Sequence, residues 1–509
     1  MASTTPLERL LDRLEAAKRQ FGAREQADLP RLLTALGRRH FADAASLIRF
    51  HEALLFFRAY PANEEIRRLT DQLLASFSER IDRFAREDGD LEPFEEPDVS
   101  GIAGTAFSAI FSYDIARWLA AHHRAQTEID WDAAEPELLA PLLKRLHPMF
   151  GEDGLVEANI PHREWFRAAK TGGGPDLAWL FASIQRLRLA PELFEHARLP
   201  IRWDLGNSRT TRTNLRLAGR RRIFYHDGPL LRRSDVSLAA ELESPPLPIE
   251  KLSRERGERF LELTRETSAM RYRELHGFTY GDPANVLHVE LGRGIEVFIN
   301  GVPPEHRLPL RAYHSGMYFK NGVPIGYIEC LSLFERIEVG FNLYYTFREG
   351  ETAWLYARLL RLFRQLLGVS SFAVDPYQLG LHNHEAIESG AFWFYRKLGF
   401  RPANARVAKL LESEETKLRA DPRYRTPARA LERLSAGWML YEVPGTPQGD
   451  WDHFEVRRVA MAVQRPPFPR RIQRAKQSAL ESKYIRLLQQ DPESRRTVLR
   501  LGSRERRGR

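Results

Sequence analysis

The sequence predicts an α/β (α+β) protein, in which a mixed sheet flanked by helices follows a large, mainly α-helical N-terminal region. In residues 45–57 and 66–84, apolar side chains recur at three- and four-residue spacing, which is typical of amphipathic helices. After Pro283 the pattern changes to short apolar stretches, at 286–299, that predict two strands joined by a glycine turn. Asn321-Gly322 then lies between two further strand patterns, and this dipeptide is a strong signal for a hairpin.

The order of the predicted elements after residue 285 supports this class. Several strands come first and are followed by helix, strand and helix, an order expected of a sheet that helices cover. The predicted strands are 286–291, 295–299, 310–319, 323–331, 336–346 and 370–374, and the predicted helices are 351–367 and 385–398.

A chain of 509 residues is too long for one compact core, so we expect several domains. The best internal boundary is the Pro-rich linker 243–248. The predicted parts are a mainly helical domain at 1–198, a connecting segment with the linker at 199–248, the sheet-containing domain at 249–402, a helical C-terminal extension at 403–465, and a basic, partly disordered tail at 466–509.

Charge and cysteine content exclude several classes of protein. The net charge is +9, but residues 494–509 alone carry seven arginines, so a basic binding surface is not implied for the folded part. The single cysteine, Cys330, excludes an intramolecular disulfide framework and a cysteine-based metal cluster, and we expect its thiol to be inert. No apolar stretch has the length of a membrane span or the form of a signal peptide, which predicts a cytoplasmic protein. His382 and His384 alternate across a short loop without further ligands beside them, so we expect no bound metal.

Two polar segments before the linker have competing interpretations. Residues 207–213 and the basic cluster 219–222 fit either a phosphate-binding patch or a solvated connection between domains, and we favour the connection. The glycine triplet 172–174 lacks the preceding strand that a nucleotide-binding loop requires, so we interpret it as a flexible link between helices.

Over about residues 285–402 the sequence resembles the GNAT (N-acetyltransferase) superfamily. The resemblance lies in the order of short motifs and covers about 120 of the 509 residues. The motifs are the hairpin 318–330, similar to the family's second and third strands; 338–345, similar to its fourth; 347–353, at the place of its pyrophosphate loop; 370–374, similar to its fifth strand; and Asn383 followed by Tyr395 shortly before Leu398-Gly-Phe400.

The resemblance implies a GNAT-like fold and an acyl-CoA-dependent N-acyltransferase, with acetyl-CoA or another acyl-CoA as co-substrate. The reaction needs a base for the ammonium proton, a donor for the developing oxyanion and an acid for the leaving thiolate. By the same resemblance, Tyr395 is the acid, Glu338 at the start of the fourth strand is the base, and Glu329 on the preceding strand is the alternative base.

The resemblance also assigns contacts with the coenzyme. Backbone amides at the start of helix 351–367 would hold its pyrophosphate, and Asn383 would contact its pantetheine arm. The expected contact residues are Leu343, Tyr345, Arg348, Gly350, Glu351, Thr352, Ala353 and Asn383. The segment departs from the usual family spacing, and Glu349 and Glu351 put carboxylates where the pyrophosphate would lie. A carboxylate that faced the phosphate would repel it.

Two functions therefore remain open at this point. The first is acyl transfer to an unidentified small-molecule or protein amine. The alternative is a catalytically inactive GNAT-like scaffold or partner-binding protein. The arginine-rich tail adds the expectation of weak, salt-sensitive contact with nucleic acid.

Overall fold

The computed structural model describes residues 5–22, 26–147, 160–219, 222–446 and 451–464. The chain divides into two compact units. Unit 1 comprises Met1–Gly228, Glu258–Thr279 and Asn321–Pro324, and unit 2 comprises Pro229–Gly257, Tyr280–Lys320 and Ile325–Arg509. The predicted range 249–402 thus contributes Glu258–Thr279 to unit 1, and the predicted tail 466–509 lies outside the described residues. The described chain has the predicted mixed α/β class, and none of its helices is long and apolar enough to cross a membrane.

Unit 1 is built from helices and one small sheet. Several helices begin at a residue whose side chain caps the first turn, as Asn63 does by accepting a hydrogen bond from the Ile66 amide. The helices are α1 (Pro6–Ala17), α2 (Leu29–Gly37), α3 (Ala44–Ala59), α4 (Glu64–Ala75), α5 (Phe77–Arg86), α6 (Tyr113–His122), α7 (Pro136–Leu146), α8 (His162–Ala169), α9 (Asp176–Ile184) and α10 (Ala190–Ala197).

The small sheet of unit 1 was not predicted for the mainly helical range 1–198. Strand β3 (Pro200–Asp204) lies between β1 (Ala106–Ile110) and β2 (Thr127–Ile129) and is antiparallel to both. The partners of β1 are about 95 residues away in the chain, and Phe107 and Trp203, opposite each other, are fully buried. A strand of five residues is too short to show a clear alternation of apolar and polar side chains, and its partners are too far away in the sequence to indicate it.

A second correction concerns residues 207–213, which were expected to form a solvated connection. Arg212 and Thr213 are buried, and they complete a group of four side chains with His51 and Glu52 that we call the His51 network. His51 Nδ1 lies 2.9 Å from Glu52 Oε1, and its Nε2 lies 2.8 Å from Thr213 Oγ1. Arg212 donates to Glu52 Oε2 at 2.7 Å. Because polar groups are costly to bury without partners, these bonds explain how a polar segment lies inside the unit.

Unit 2 contains a nine-stranded sheet in the order β11-β12-β10-β9-β8-β7-β6-β5-β4. Strands β9 and β10 are parallel, and the other pairs for which a register is described are antiparallel. The strands are β4 (Ile249–Lys251), β5 (Val286–Gly292), β6 (Ile295–Asn300), β7 (Ala312–Lys320), β8 (Val323–Leu333), β9 (Arg336–Leu343), β10 (Ser371–Val374), β11 (Arg401–Pro402) and β12 (Met439–Glu442).

The turn between β7 and β8 confirms the predicted hairpin. Asn321 and Gly322 have φ angles of 49° and 80°, which is the left-handed backbone that a tight two-residue turn requires at both positions. Three other strands were not predicted. Residues 249–251 form β4, residues 401–402 form β11, and residues 439–442, in the extension that was expected to be helical, form β12.

The chain after residue 237 forms ten further α-helices among the described residues. Helix α12 has its first turn in unit 2 and its remainder in unit 1, and α13 belongs to unit 1. The helices are α11 (Leu238–Glu243), α12 (Arg254–Ala269), α13 (His276–Thr279), α14 (Thr352–Leu367), α15 (Pro376–Leu379), α16 (His384–Glu388), α17 (Ala391–Lys397), α18 (Ala405–Ala420), α19 (Ala428–Leu434) and α20 (Val456–Gln464). Helix α14 connects β9 to β10 and ends at Gly368, whose φ of 66° closes it.

Candidate functional site

The parallel strands β9 and β10 of unit 2 pair over a short distance, because β10 ends at Val374 while β9 runs on. Ser371, Phe372 and Ala373 lie opposite Arg336, Ile337 and Glu338, and the described pairing ends there. Strand β9 continues to Leu343 and stays paired with β8 along that length. We call the space beside β9 after Glu338 the gap.

The backbone of β9 presents amides to the gap. The Tyr344 amide donates to the carbonyl of Ile325, on the β8 side. Because successive amides of an antiparallel strand point in opposite directions, those of Phe341 and Leu343 point to the other edge. The Phe341 amide donates to Gln378 Oε1 at 3.5 Å, which confirms that it faces the gap.

Gln378 extends its side chain into the gap from the short helix α15. The Asp375 side chain caps this helix by accepting hydrogen bonds from the amides of Tyr377 and Gln378. Gln378 Oε1 also lies 3.4 Å from the hydroxyl of Tyr395. Gly340 leaves space for the amide, since a Cβ there would lie 3.1 Å from Gln378 Nε2. Gln378 was not among the predicted site residues, because segment 375–378 after a strand end fits a simple turn equally well and its place beside β9 depends on the fold.

Tyr395, the expected acid, lies in α17 and is 4% exposed. Its ring contacts those of Tyr356 and Phe400, with centroids 5.5 and 5.7 Å apart. Burial raises the pKa of Tyr395. The fully buried Tyr356 hydroxyl, on α14, has no hydrogen-bond partner among the residues that the structure describes. Tyr395 therefore borders the gap with one long hydrogen bond, and Tyr356 packs against its ring from the core.

Glu338, the expected base, is held by two arginines. Its Oε2 accepts from Arg311 Nη1 at 2.7 Å, and its Oε1 accepts from Arg336 Nη1 at 2.5 Å. Its side chain is 14% exposed. Both oxygens of Glu338 thus already accept a hydrogen bond from an arginine, which fixes the carboxylate and leaves it fewer lone pairs for a substrate proton.

Glu329, the alternative base, is less constrained. It lies on β8 directly opposite Gly340, so it shares a sheet face with Glu338 and is separated from the gap by the width of β9. The Tyr313 hydroxyl donates to its Oε1, and the residue is half-buried. The geometry favours Glu329 over Glu338 as a proton acceptor.

The segment between β9 and α14 contains most of the expected coenzyme contacts. Tyr345 begins a short 3₁₀ turn and is 36% exposed. The Gly350 amide donates to the Phe347 carbonyl at 3.0 Å, and the Thr352 hydroxyl to the Arg348 carbonyl at 3.0 Å. Ala353 is buried in the first turn of α14. These bonds shape the turn that leads from the gap to the helix.

Two charged residues of this segment are engaged in ion pairs. Glu351 was expected to face a bound phosphate, but it is buried and accepts from the Leu231 amide at 3.1 Å and from Arg293 Nε at 2.9 Å. Lys320 Nζ lies 3.9 Å from it, and burial lowers the pKa of Lys320 to about 7. The Arg348 side chain pairs with Glu385 at the surface. The carboxylate of Glu351 therefore lies in an internal ion cluster.

Asn383 caps helix α16. Its Oδ1 accepts from the Ala386 amide at 3.1 Å, and its Nδ2 donates to the Tyr377 carbonyl at 3.2 Å. This second bond connects α16 to the helix that carries Gln378. A contact between Asn383 and a pantetheine arm stays a prediction.

Cys330 lies in β8 and is buried, and burial raises the pKa of its thiol, which fits the expectation of an inert residue. The described part of the chain contains no group of three or more His, Cys, Asp or Glu residues that could hold a metal ion. Comparison with models of protein families, with curated proteins and with solved structures finds no match to this chain.

Proposed function

We propose that this chain is an acyl-CoA-dependent N-acyltransferase of GNAT type, most simply an N-acetyltransferase, that acts on an amine. The observation that carries the proposal is the partial pairing of β9 and β10, which ends at Glu338 and Ala373 and leaves the Phe341 and Leu343 amides facing the gap. A thioester laid along that edge would meet backbone donors on one side and Tyr395 on the other.

Helix α14 supports the proposal at the far end of the ligand. It begins a few residues after β9, and the amides at a helix N-terminus favour an anion such as a pyrophosphate. Because Glu351 is paired with Arg293, its carboxylate is not directed at that anion. Of the two carboxylates that could repel a pyrophosphate, those of Glu349 and Glu351, the second is therefore directed elsewhere.

The side chains suggest a division of roles. Glu329 would accept the proton of the attacking ammonium, and an amide of β9 would stabilise the oxyanion as the amine nitrogen bonds to the carbonyl carbon. When the carbon–sulfur bond breaks, Tyr395 would donate its proton to the leaving thiolate. The products are an amide and free coenzyme A.

Coenzyme binding is the first test. A ligand that binds only the folded state stabilises it, by about 2.7 kcal/mol at a hundredfold excess over its Kd. We expect the thermal unfolding temperature of the purified chain to rise with acetyl-CoA or CoA. No rise at millimolar coenzyme would favour the alternative, a GNAT-like scaffold without catalysis.

The chemistry is tested by the release of CoA thiol from acetyl-CoA in the presence of a panel of primary amines. We expect Tyr395→Phe and Glu329→Gln each to lower turnover by about 10²-fold, a normal loss for a general acid or base, with coenzyme affinity nearly unchanged. Glu338→Gln is the matched control, because that carboxylate lies on the same sheet face but is held by two arginines. Equal losses for Glu329→Gln and Glu338→Gln would remove the distinction between them.

A further inference from the structure

One oxygen atom in the gap receives two hydrogen bonds that a bound thioester would need. Gln378 Oε1 accepts from the Phe341 amide at 3.5 Å and from the Tyr395 hydroxyl at 3.4 Å. These donors come from a strand and from a helix on opposite sides of the gap. A thioester in the same place would have its carbonyl oxygen near the Phe341 amide and its sulfur near the Tyr395 hydroxyl, as polarisation of the acyl group and protonation of the leaving thiolate require.

The hydrogen bonds to the Gln378 side-chain amide are weak. Both, at 3.5 and 3.4 Å, are longer than the normal range for their donors. The residue is half-buried, and its helix, α15, has only four residues and is followed by Gly380. A flexible side chain held in this way can leave the gap without disturbing the apolar core.

We propose that the Gln378 amide occupies the place of the acyl carbonyl in the unliganded chain, and that acyl-CoA binds by displacing it. The proposal rests on the proposed acyltransferase function. Gln378 would keep the Phe341 amide and the Tyr395 hydroxyl oriented between turnovers and would weaken coenzyme binding by competing for them. Release of the product would be favoured by return of the amide.

The first experiment needs no coenzyme. Gln378→Ala removes the acceptor of the Phe341 amide, so hydrogen–deuterium exchange of peptides spanning Arg336–Leu343 should become about fivefold to tenfold faster at that amide, as expected for the loss of one weak hydrogen bond. Gln378→Met keeps the length of the side chain without an acceptor and should show the same increase. Unchanged exchange in both variants would overturn the proposal.

The second experiment measures the Kd of acetyl-CoA for the wild type and the variants. We expect Gln378→Ala to bind about fivefold to twentyfold more tightly, because one or two competing hydrogen bonds are removed. Tyr377→Ala is the control, since Tyr377 is 61% exposed on the same short helix, and its affinity should stay at the wild-type value.

The outcomes separate the two proposals. If the wild type binds acetyl-CoA and Gln378→Ala binds it equally well or more weakly, displacement is wrong and the acyltransferase proposal stands. If neither binds at millimolar concentration, the acyltransferase proposal fails, and the role of Gln378 in displacement fails with it.

Discussion

The His51 network of unit 1 and the gap of unit 2 are both polar regions inside apolar surroundings, but they differ in how completely their groups are paired. In the network, Glu52 accepts from His51 and Arg212, and Thr213 Oγ1 bonds His51 and the Ala103 amide. In the gap, Tyr395 has one long hydrogen bond, and the Tyr356 hydroxyl has none within the described residues. Buried groups that bond one another in this way stabilise the fold, whereas a weakly bonded donor such as the Tyr395 hydroxyl can bond a ligand instead.

The largest expected effect comes from breaking the His51 network. Glu52→Ala leaves the buried Arg212 and His51 without their common acceptor, and we expect a loss of about 3–5 kcal/mol in the free energy of unfolding. Urea denaturation measures it. Asp12→Ala is the control: this carboxylate is 60% exposed and pairs with Arg49 at 2.7 Å, so it should cost about 1 kcal/mol or less. Similar losses in Glu52→Ala and Asp12→Ala would show that the His51 network stabilises the fold no more than an exposed ion pair does.

The second effect is a dependence on pH. Burial lowers the pKa of His51 to about 4, although Glu52 opposes that shift and Arg212 and Arg58 reinforce it. The unfolded chain takes up a proton near pH 6.5, while the folded chain keeps His51 neutral, so between pH 6.5 and 4 the unfolded state binds more protons. The free energy of unfolding should therefore fall as pH drops through this range, by about 3 kcal/mol from this group.

His51→Gln checks this assignment by urea denaturation at several pH values. The variant should be less stable than the wild type at pH 7 but should lose less stability on acidification. His40→Gln, at an imidazole whose side chain is 60% exposed, should keep the wild-type slope. If the free energy of unfolding of His51→Gln fell with pH as steeply as that of the wild type, groups other than His51 would be responsible for the acid sensitivity.

The smallest effect is expected in unit 2. Tyr356→Phe removes a buried hydroxyl that has no partner in the described part of the chain, so stability should be unchanged or higher by about 0.5–1 kcal/mol. Tyr318→Phe is the matched control, since Tyr318 is also fully buried but donates to the Tyr327 carbonyl at 3.0 Å. That variant should lose about 1 kcal/mol in the same unfolding measurement. A larger loss for Tyr356→Phe would mean that its hydroxyl is paired after all.

Local signals in the sequence predicted much of the sheet of unit 2. Asn321-Gly322 marks the β7–β8 turn, and the stripe of leucines in 351–367 predicts α14, because turn chemistry and helical periodicity are properties of neighbouring residues. Strands β1, β4 and β12 were missed. Each is short and is held by partners far away in the sequence, so its pattern alone does not distinguish it from a helix or loop.

The residues of the candidate site were also predicted only in part. The order of short motifs along the sequence indicated Tyr395 and Asn383, because both lie in recognisable motifs. It did not indicate that Glu338 is held by Arg311 and Arg336, or that Glu351 pairs with Arg293. Those pairings, like the position of Gln378, depend on which residues the sheet brings together.

The connection between β9 and β10 also bears on how unit 2 folds. Neighbouring strands from β5 to β9 are joined by short segments and can pair as soon as those segments close, at a low entropic cost. Strand β10 can join only after α14 has crossed the sheet, and β12 arrives from some 65 residues further along the chain. We therefore expect the gap to be bordered on one side by the earliest part of the sheet to form and on the other by the latest.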